Sequence, residues 1–146
     1  MSASRLIVID FTRTLFDPET NSLFLDAQPF LIALTNPKNI LALVSHNEME
    51  TQNKLNQFSL IHFFTEIIIG EKTLETFTDL KNKYPNCAAW TIGDRIDGEI
   101  KFGNEAGFKT IRLRRGKFAH HIPQDQSEIA QFEVDDLLSA LPIIQP

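Results

Sequence analysis

Short apolar runs rich in β-branched residues alternate along this chain with segments of helical periodicity. The apolar runs predict five strands, at 6–9, 40–44, 65–69, 87–92 and 109–113. The segments between them predict four helices, at 28–35, 49–58, 73–84 and 96–106. A strand followed by a helix and a second strand requires a right-handed crossover, which gives a parallel sheet with helices on both faces. The sequence therefore predicts an α/β fold around a five-stranded parallel sheet.

Polar side chains stand where the predicted strands end. Asp10 ends the first strand, Ser45 the second, and Asp94 follows the fourth, while Lys72 opens the helix after the third. The carboxyl ends of parallel strands share one edge of the sheet, and ligands bind at that edge in open α/β sheets. Carboxylates suit Mg²⁺, whereas a lysine and a hydroxyl suit phosphate oxygens. This edge therefore predicts a site for a phosphorylated ligand held with a divalent cation, with Asp10 available as metal ligand or nucleophile.

Composition limits the classes of protein that this chain can belong to. Its 146 residues, 42% hydrophobic and 23% charged, suit one soluble globular domain. The net charge of −5 argues against a surface for nucleic acid or anionic membrane. No apolar run reaches membrane-spanning length and the first residues lack a secretory signal, so we expect a cytoplasmic location. The single cysteine, Cys87, excludes an internal disulfide and a cysteine-rich zinc site.

The four strand-end motifs, in their order along the chain, resemble those of the haloacid dehalogenase (HAD) superfamily. That family has Asp-x-Asp-x-Thr-Leu after a first strand, Ser or Thr after the second, Lys after the third, and Gly-Asp with a further acid after the fourth. This chain has Asp-Phe-Thr-Arg-Thr-Leu at 10–15, Ser45, Lys72, and Gly-Asp-Arg-Ile-Asp-Gly-Glu at 93–99. The run at 102–110 is also similar to the family's passage from helix to strand. The resemblance covers nearly the whole chain and implies a HAD-like, Rossmann-like fold.

The resemblance implies a nucleophile and a metal site at the first and fourth motifs. Asp10 would attack phosphorus and form an aspartyl-phosphate. The carboxylates of Asp10 and Asp94 and the backbone carbonyl of Thr12 would bind Mg²⁺. Glu99 stands where the family usually has an Asp, with Asp97 as its competitor, and either acid is a candidate to support the metal. The residues alone leave other roles open, because Asp97 is typical of a helix N-cap and Glu99 favours a helix N-terminus.

Phosphate binding is the role that the resemblance implies for the second and third motifs. Ser45 and Lys72 would hold the phosphoryl oxygens, and Lys72 would also stabilise the charge that develops during transfer. Thr14 would brace the first loop beside them. Lys72 alone is equally typical of a solvated lysine at a helix start.

Thr12 is the main departure from the family pattern. Phosphatases of the family carry a second Asp there, which protonates the leaving oxygen and then activates water. Threonine lacks this acidity, and loss of a general acid or base typically costs about a hundred- to ten-thousandfold in rate. Family members with a non-acid at this position include P-type ATPases, with Thr, and dehalogenases, with Tyr. A second departure, Arg13 in place of the usual Gly, narrows the backbone conformations available and adds a cation near the anion site.

The chain leaves no room for a full cap domain. The family inserts caps after the first or third motif, but a strand and a helix already fill each interval between Asp10, Ser45 and Lys72. We therefore expect one HAD-like core domain over 1–146, with 16–36 as a vestigial cap region and 116–146 as a C-terminal extension. An open site implies a phosphorylated small molecule or macromolecule that covers it, or a second subunit as lid. No nucleic-acid or membrane partner is expected.

Three functions fit these residues. The first is a slow, Mg²⁺-dependent HAD-like phosphatase that acts through Asp10. The second, indicated by Thr12 and Arg13, is a module of the same fold that binds a phosphorylated ligand or protein without turnover. The third is a dehalogenase, which shares a non-acid at position 12 but needs capping residues for which this chain has no space.

Overall fold

The computed structural model describes residues 4–46 and 49–146, and strands alternate with helices along them. The strands are β1 (Arg5–Asp10), β2 (Phe16–Asp17), β3 (Ser22–Leu23), β4 (Asn39–Ser45), β5 (Glu66–Ile69), β6 (Ala88–Gly93), β7 (Lys109–Leu113) and β8 (Phe132–Val134). The helices are α1 (Ala27–Leu34), α2 (Met49–Gln57), α3 (Leu74–Lys83), α4 (Lys101–Glu105) and α5 (Leu141–Ile144). Short 3₁₀ turns and one π-helical turn connect several of them. Among the described residues, no helix has both the length and the apolar content that a membrane crossing requires.

Six of these strands form one parallel sheet in the order β5-β4-β1-β6-β7-β8. Strand β1 is central, and its register pairs Asp10 with Val44 of β4 and Ile9 with Ile92 of β6. The carboxyl ends of β1, β4 and β6 are therefore level with one another. This register places the polar residues that follow those strands at a single edge.

Helices cover both faces of the sheet, because successive side chains of a buried strand point to opposite sides. Ile7 and Ile9 of β1 pack into one apolar cluster with residues of α1, α2 and α5. Leu6 and Val8 pack into a second cluster with Phe77 of α3 and residues around α4. The predicted α/β class, with a parallel sheet between two helical layers, is confirmed.

The parallel sheet has six strands, one more than the five predicted. Strand β8 lies at the sheet edge beside β7 and pairs Ile111 with Phe132. Its three residues carry no clear periodicity, since two side chains are exposed and only Val134 is buried. The predicted C-terminal extension at 116–146 contains this strand, three 3₁₀ turns and the short helix α5.

The predicted helix at 96–106 is divided in two. A π-helical turn at Ile96–Ile100 precedes α4, and Gly98 inside it has non-helical dihedral angles (φ −122°, ψ −110°). The change in direction separates the acid-bearing turn from the part of the helix that packs on the sheet.

The basic run at 112–115 is not the solvated edge that its charges suggest. Arg112 is 4% exposed. Arg115 pairs with Asp26 through two contacts of 3.0 and 2.6 Å and lies over the Phe24 ring at 4.2 Å. Asp26 also accepts a hydrogen bond from the backbone N–H of Leu137 at 2.9 Å. These contacts join the region predicted as a vestigial cap, which contains the β2–β3 hairpin and α1, to the C-terminal segment.

Candidate active site

A cavity of about 390 Å³ opens at the edge where β1, β4 and β6 end. It contains every sequence-predicted site residue except Thr14, which lies behind it and bonds to Asp10. The predicted residues that line it are Asp10, Thr12, Ser45, Lys72, Asp94, Asp97 and Glu99. Residues from four separate parts of the chain thus meet at one place.

Asp10 is held from two sides at the end of the central strand. Its carboxylate is 5% exposed, and its Oδ2 accepts a hydrogen bond from the Thr14 hydroxyl at 3.2 Å. The Lys72 ammonium donates to Oδ1 in a short ion pair. Because both oxygens are oriented by donors, the carboxylate has a defined direction toward the cavity.

The loop after Asp10 is a tight turn closed on one carbonyl. The oxygen of Phe11 accepts hydrogen bonds from the backbone N–H groups of Thr14, Leu15 and Phe16 at 3.2, 2.8 and 3.0 Å. This turn places Thr12 at the cavity and requires a left-handed backbone at Arg13, with φ 64°. Glycine suits that conformation, whereas a side chain there costs about 1–2 kcal/mol. The structure thus explains in backbone terms why the family pattern has Gly at this position.

Glu99 reaches the site from the π-helical turn. Its Oε1 accepts from the backbone N–H of Arg95 at 2.8 Å, and its Oε2 from Lys72 at 3.1 Å. The carboxylate passes directly over Gly93, where any Cβ would collide with it. The glycine of the Gly-Asp motif is therefore needed for the close approach of this acid.

Asp97 lines the cavity but is paired with Arg95. Both oxygens of its carboxylate accept from the Arg95 guanidinium at 2.8 Å, and the side chain is 43% exposed. The pKa of Asp97 is lowered, chiefly by this hydrogen bond. Asp97 lies inside the π-helical turn, whose N-cap is Arg95. Of the two candidate supporting acids, the structure brings only Glu99 together with Asp10 and Asp94.

Three buried carboxylates share one small volume. Oxygen atoms of Asp10, Asp94 and Glu99 all lie within 4.8 Å of one another. Burial, reinforced by the charges of Asp10 and Glu99, raises the pKa of Asp94 to about 9. Burial also raises the pKa of Glu99. Burial would lower the pKa of Lys72, but the charges of Asp10 and Glu99 outweigh it and that pKa is raised. The single positive charge of Lys72 thus cannot balance the three carboxylates if all of them are ionised.

The surroundings of Asp94 fit a metal ion. Both of its carboxylate oxygens are buried, and neither has a hydrogen-bond partner among the described residues. A buried, unpaired carboxylate is costly unless a cation or a proton compensates it. Hard oxygen ligands clustered in this way are those that Mg²⁺ binds in proteins. Asp10, Asp94 and Glu99 are therefore the residues that could hold such an ion.

Ser45 lies on the other side of Asp10, at the end of β4. It is 2% exposed, and its hydroxyl is 3.4 Å from that of Thr51 in α2. Its position beside Asp10 and Lys72 in the same cavity suits the binding of an anion's oxygen.

Lys117 and Phe118 are among the cavity residues that the sequence analysis missed. They lie in a 3₁₀ turn just after β7. Their place at the site could have been predicted, because β7 is parallel to the other strands and its carboxyl end reaches the same edge of the sheet. The segment instead resembles an ordinary loop, since it contains no acid, hydroxyl or recognisable motif.

Comparisons with known proteins agree with this architecture. Residues 69–140 match the HAD-hydrolase-like family model. A glyceraldehyde 3-phosphate phosphatase from Methanopyrus kandleri is 30% identical over 114 residues. That alignment covers 71% of this chain and 48% of the relative, so the chain spans about half the length of the curated protein it matches.

Solved structures share the fold at low identity. The D,D-heptose 1,7-bisphosphate phosphatase of B. bronchiseptica, solved with magnesium and phosphate, has a TM-score of 0.73 at 12% identity, covering 97% of this chain and 98% of that one. The HAD-hydrolase YfnB of Bacillus subtilis, bound to magnesium, has a TM-score of 0.69 at 23% identity, covering 86% and 57%. The match of residues 69–140 to the family model and the similarity to the phosphatase, together with the ordered motifs, identify the chain as a member of the HAD superfamily, and these solved structures show that it has the same fold.

Proposed function

We propose that this protein is a Mg²⁺-dependent phosphohydrolase that transfers a phosphoryl group from a phosphomonoester to Asp10. The observation that carries the proposal is the buried cluster of Asp10, Asp94, Glu99 and Lys72 at the carboxyl ends of the strands. The names of the matched relatives, a glyceraldehyde 3-phosphate phosphatase among them, support a phosphate ester as substrate.

In the first step, an oxygen of the Asp10 carboxylate attacks phosphorus. A P–O bond to Asp10 forms while the bond to the ester oxygen breaks, and that oxygen departs with the electron pair. Thr14 and Lys72 orient the attacking carboxylate, and Lys72 with Ser45 holds the phosphoryl oxygens. Mg²⁺ bound by Asp10, Asp94 and Glu99 would supply positive charge that lets a carboxylate approach a phosphate dianion.

In the second step, water attacks the aspartyl-phosphate and restores Asp10. Family phosphatases activate that water with an acid side chain two residues after the nucleophile, where this chain has Thr12. Asp97 is a poor replacement, because its pairing with Arg95 lowers its pKa and occupies both of its carboxylate oxygens. Proton transfer in both steps therefore falls to solvent, and we expect slow turnover.

The test is phosphate release from a generic aryl phosphate by the wild type and by Asp10→Asn, each with Mg²⁺ and with a chelator. We expect release by the wild type with Mg²⁺ only, and none from Asp10→Asn. Release that survives either the substitution or the chelator would refute the proposal. The melting temperature of each protein serves as the control for folding.

A second function, binding of a phosphorylated ligand or protein without turnover, has its own support. Thr12 removes the acid–base group, and Arg13 keeps a cation beside the site in a costly backbone conformation. This alternative is favoured if Mg²⁺ raises the melting temperature and phosphate esters bind, while no phosphate is released across a broad panel of esters.

A further inference from the structure

We infer that the mouth of this site holds a second anion subsite, formed by Arg13 and Lys117 around the ring of Phe118. The subsite would bind a carboxylate or second phosphate on the same small substrate whose ester phosphate lies at Asp10. The inference rests on the proposed function and names its substrate class: phosphomonoesters with a second anionic group.

Phe118 is the centre of a group of cations. The guanidinium carbon of Arg95 lies 4.0 Å from the ring centroid, the Lys117 ammonium 5.1 Å and the guanidinium carbon of Arg13 5.4 Å. All four residues line the same cavity as Asp10. An aromatic face attracts cations, but three of them around one ring also repel one another, so the arrangement favours an added anion.

Two of these cations have no acidic partner in the part of the chain that the structure describes. Arg95 is held by Asp97 through two hydrogen bonds of 2.8 Å. The side chains of Arg13 and Lys117 make no ion pair or hydrogen bond with any other residue that the structure describes. In a protein with a net charge of −5, two unpaired cations at one cavity are available to a ligand.

The backbone of the segment that carries Phe118 is held by hydrogen bonds from two arginines. Arg112, buried at the end of β7, donates hydrogen bonds to the carbonyls of Phe118, Ala119 and His121 at 3.2, 3.2 and 2.8 Å. Arg114 donates a further bond to the Ala119 carbonyl at 3.1 Å. The segment after β7 is therefore a built part of the site.

Arg13 is held toward the same ring. Its side chain lies against Gly116, where an added Cβ would come within 3.3 Å of the Arg13 Cδ. Gly116 itself has a φ of 71°, a conformation that favours glycine. Arg13 keeps its left-handed backbone although glycine would adopt it without strain. A strained position that directs a cation into a cavity indicates a function for that cation.

The chemistry of the group suits a compact anion. A guanidinium presents a planar fork that matches carboxylate and phosphate oxygens, and an ammonium adds a point charge. A cavity of about 390 Å³ has room for a small molecule beyond the phosphate itself. A metabolite-sized ester with anions at both ends would fill it.

The test compares two probes that differ in the second anion. 3-Phosphoglycerate has a carboxylate where glycerol 3-phosphate has a neutral hydroxymethyl group. Binding is measured by calorimetry with Mg²⁺ on Asp10→Asn, which prevents turnover. We expect at least tenfold tighter binding of 3-phosphoglycerate, and a loss of about tenfold in that ratio on adding Arg13→Gln or Lys117→Gln.

Lys109→Gln is the matched control. Lys109 is also an exposed lysine over an aromatic ring, 5.0 Å from the Trp90 centroid, but it lies at the opposite end of β7 from the cavity. We expect it to leave the ratio of the two affinities unchanged.

Two outcomes would overturn the inference. The first is equal affinity of the parent Asp10→Asn protein for the two probes. The second is an equal loss of affinity for both probes in Arg13→Gln and Lys117→Gln, which would mean a general attraction of anions. Because the readout is binding, failure of the wild type to release phosphate would refute the proposed phosphatase and still leave the subsite tested.

Discussion

At the scale of single residues, the candidate site has a well-oriented carboxylate at Asp10 but has Thr12, and not an acid, two residues later. The carboxylate of Asp10 contacts the Thr14 hydroxyl and the Lys72 ammonium. The motifs predicted both residues at the site, with Thr14 bracing the first loop and Lys72 on the phosphoryl oxygens, but not their contacts with Asp10. Glu99 and Asp97 could not be separated from sequence, because they are two residues apart. Glu99 approaches Asp10 and Asp94 because the Arg95 backbone N–H binds its carboxylate and because Gly93 has no Cβ in its way.

Thr12→Asp tests the missing acid directly. An Asp at this position could protonate the leaving oxygen and then activate water, so we expect turnover to rise by about a hundredfold or more. The gain should be largest for alkyl phosphates, whose leaving oxygens need the proton most, and smaller for nitrophenyl phosphate. The measurement is kcat for a series of esters with different leaving-group pKa values.

Thr12→Asn is the matched control for Thr12→Asp, because it is nearly isosteric with Asp and cannot donate a proton in the same way. Equal rates for the Asp and Asn variants would show that acidity at position 12 is not the limiting factor.

At the scale of elements, strand-end chemistry was predictable where a strand had a strong apolar run. Strands β1, β4 and β6 each carry four or more buried residues, so their ends and the polar groups after them could be located. Strand β8 is short, two of its three side chains are exposed, and it pairs with β7 at the edge of the sheet. Its formation depends on tertiary contacts that the local sequence does not contain.

Helix α4 packs closely against strands β6 and β7 at Gly103, which the sequence composition does not reveal. A Cβ at Gly103 would lie 2.5 Å from the Cγ2 of Thr91 and 3.0 Å from that of Thr110. Overpacking of this kind costs about 1–3 kcal/mol, which exceeds the gain of about 1 kcal/mol in helix propensity. We therefore expect Gly103→Ala to lower the free energy of unfolding, measured by urea denaturation.

Gly70→Ala provides the comparison for Gly103→Ala, since an added Cβ there would meet nothing within 4 Å. We expect a change within about 0.5 kcal/mol for that variant. If Gly103→Ala were as stable as Gly70→Ala, the helix would have to sit farther from the sheet than it does here.

At the scale of the whole molecule, we expect the acid cluster to link stability to pH and to Mg²⁺. The pKa of Asp94 is 3.8 when unperturbed and about 9 in the metal-free fold. Between these values the folded state binds more protons than the unfolded state, so Asp94 stabilises the fold at low pH and this contribution is lost as pH rises toward 9. The slope from one group is at most about 1.4 kcal/mol per pH unit.

We therefore expect the metal-free wild type to lose stability relative to Asp94→Asn as pH rises from 5 to about 9. Mg²⁺ should stabilise the wild type more at the upper end of this range, where it replaces the proton. The measurement is thermal unfolding against pH with and without Mg²⁺. Parallel pH profiles for the two proteins would contradict this linkage.

The central claim is that phosphorus becomes bonded to Asp10, and acid-quench mass spectrometry tests it most directly. The protein is mixed with an aryl phosphate and Mg²⁺, stopped in acid, digested and searched for a phosphoryl adduct. Because Thr12 slows the attack of water, we predict that the peptide containing Asp10 carries the adduct, and that Asp10→Asn or chelation removes it. Phosphate release without any adduct on that peptide, or an adduct that persists in Asp10→Asn, would contradict the account.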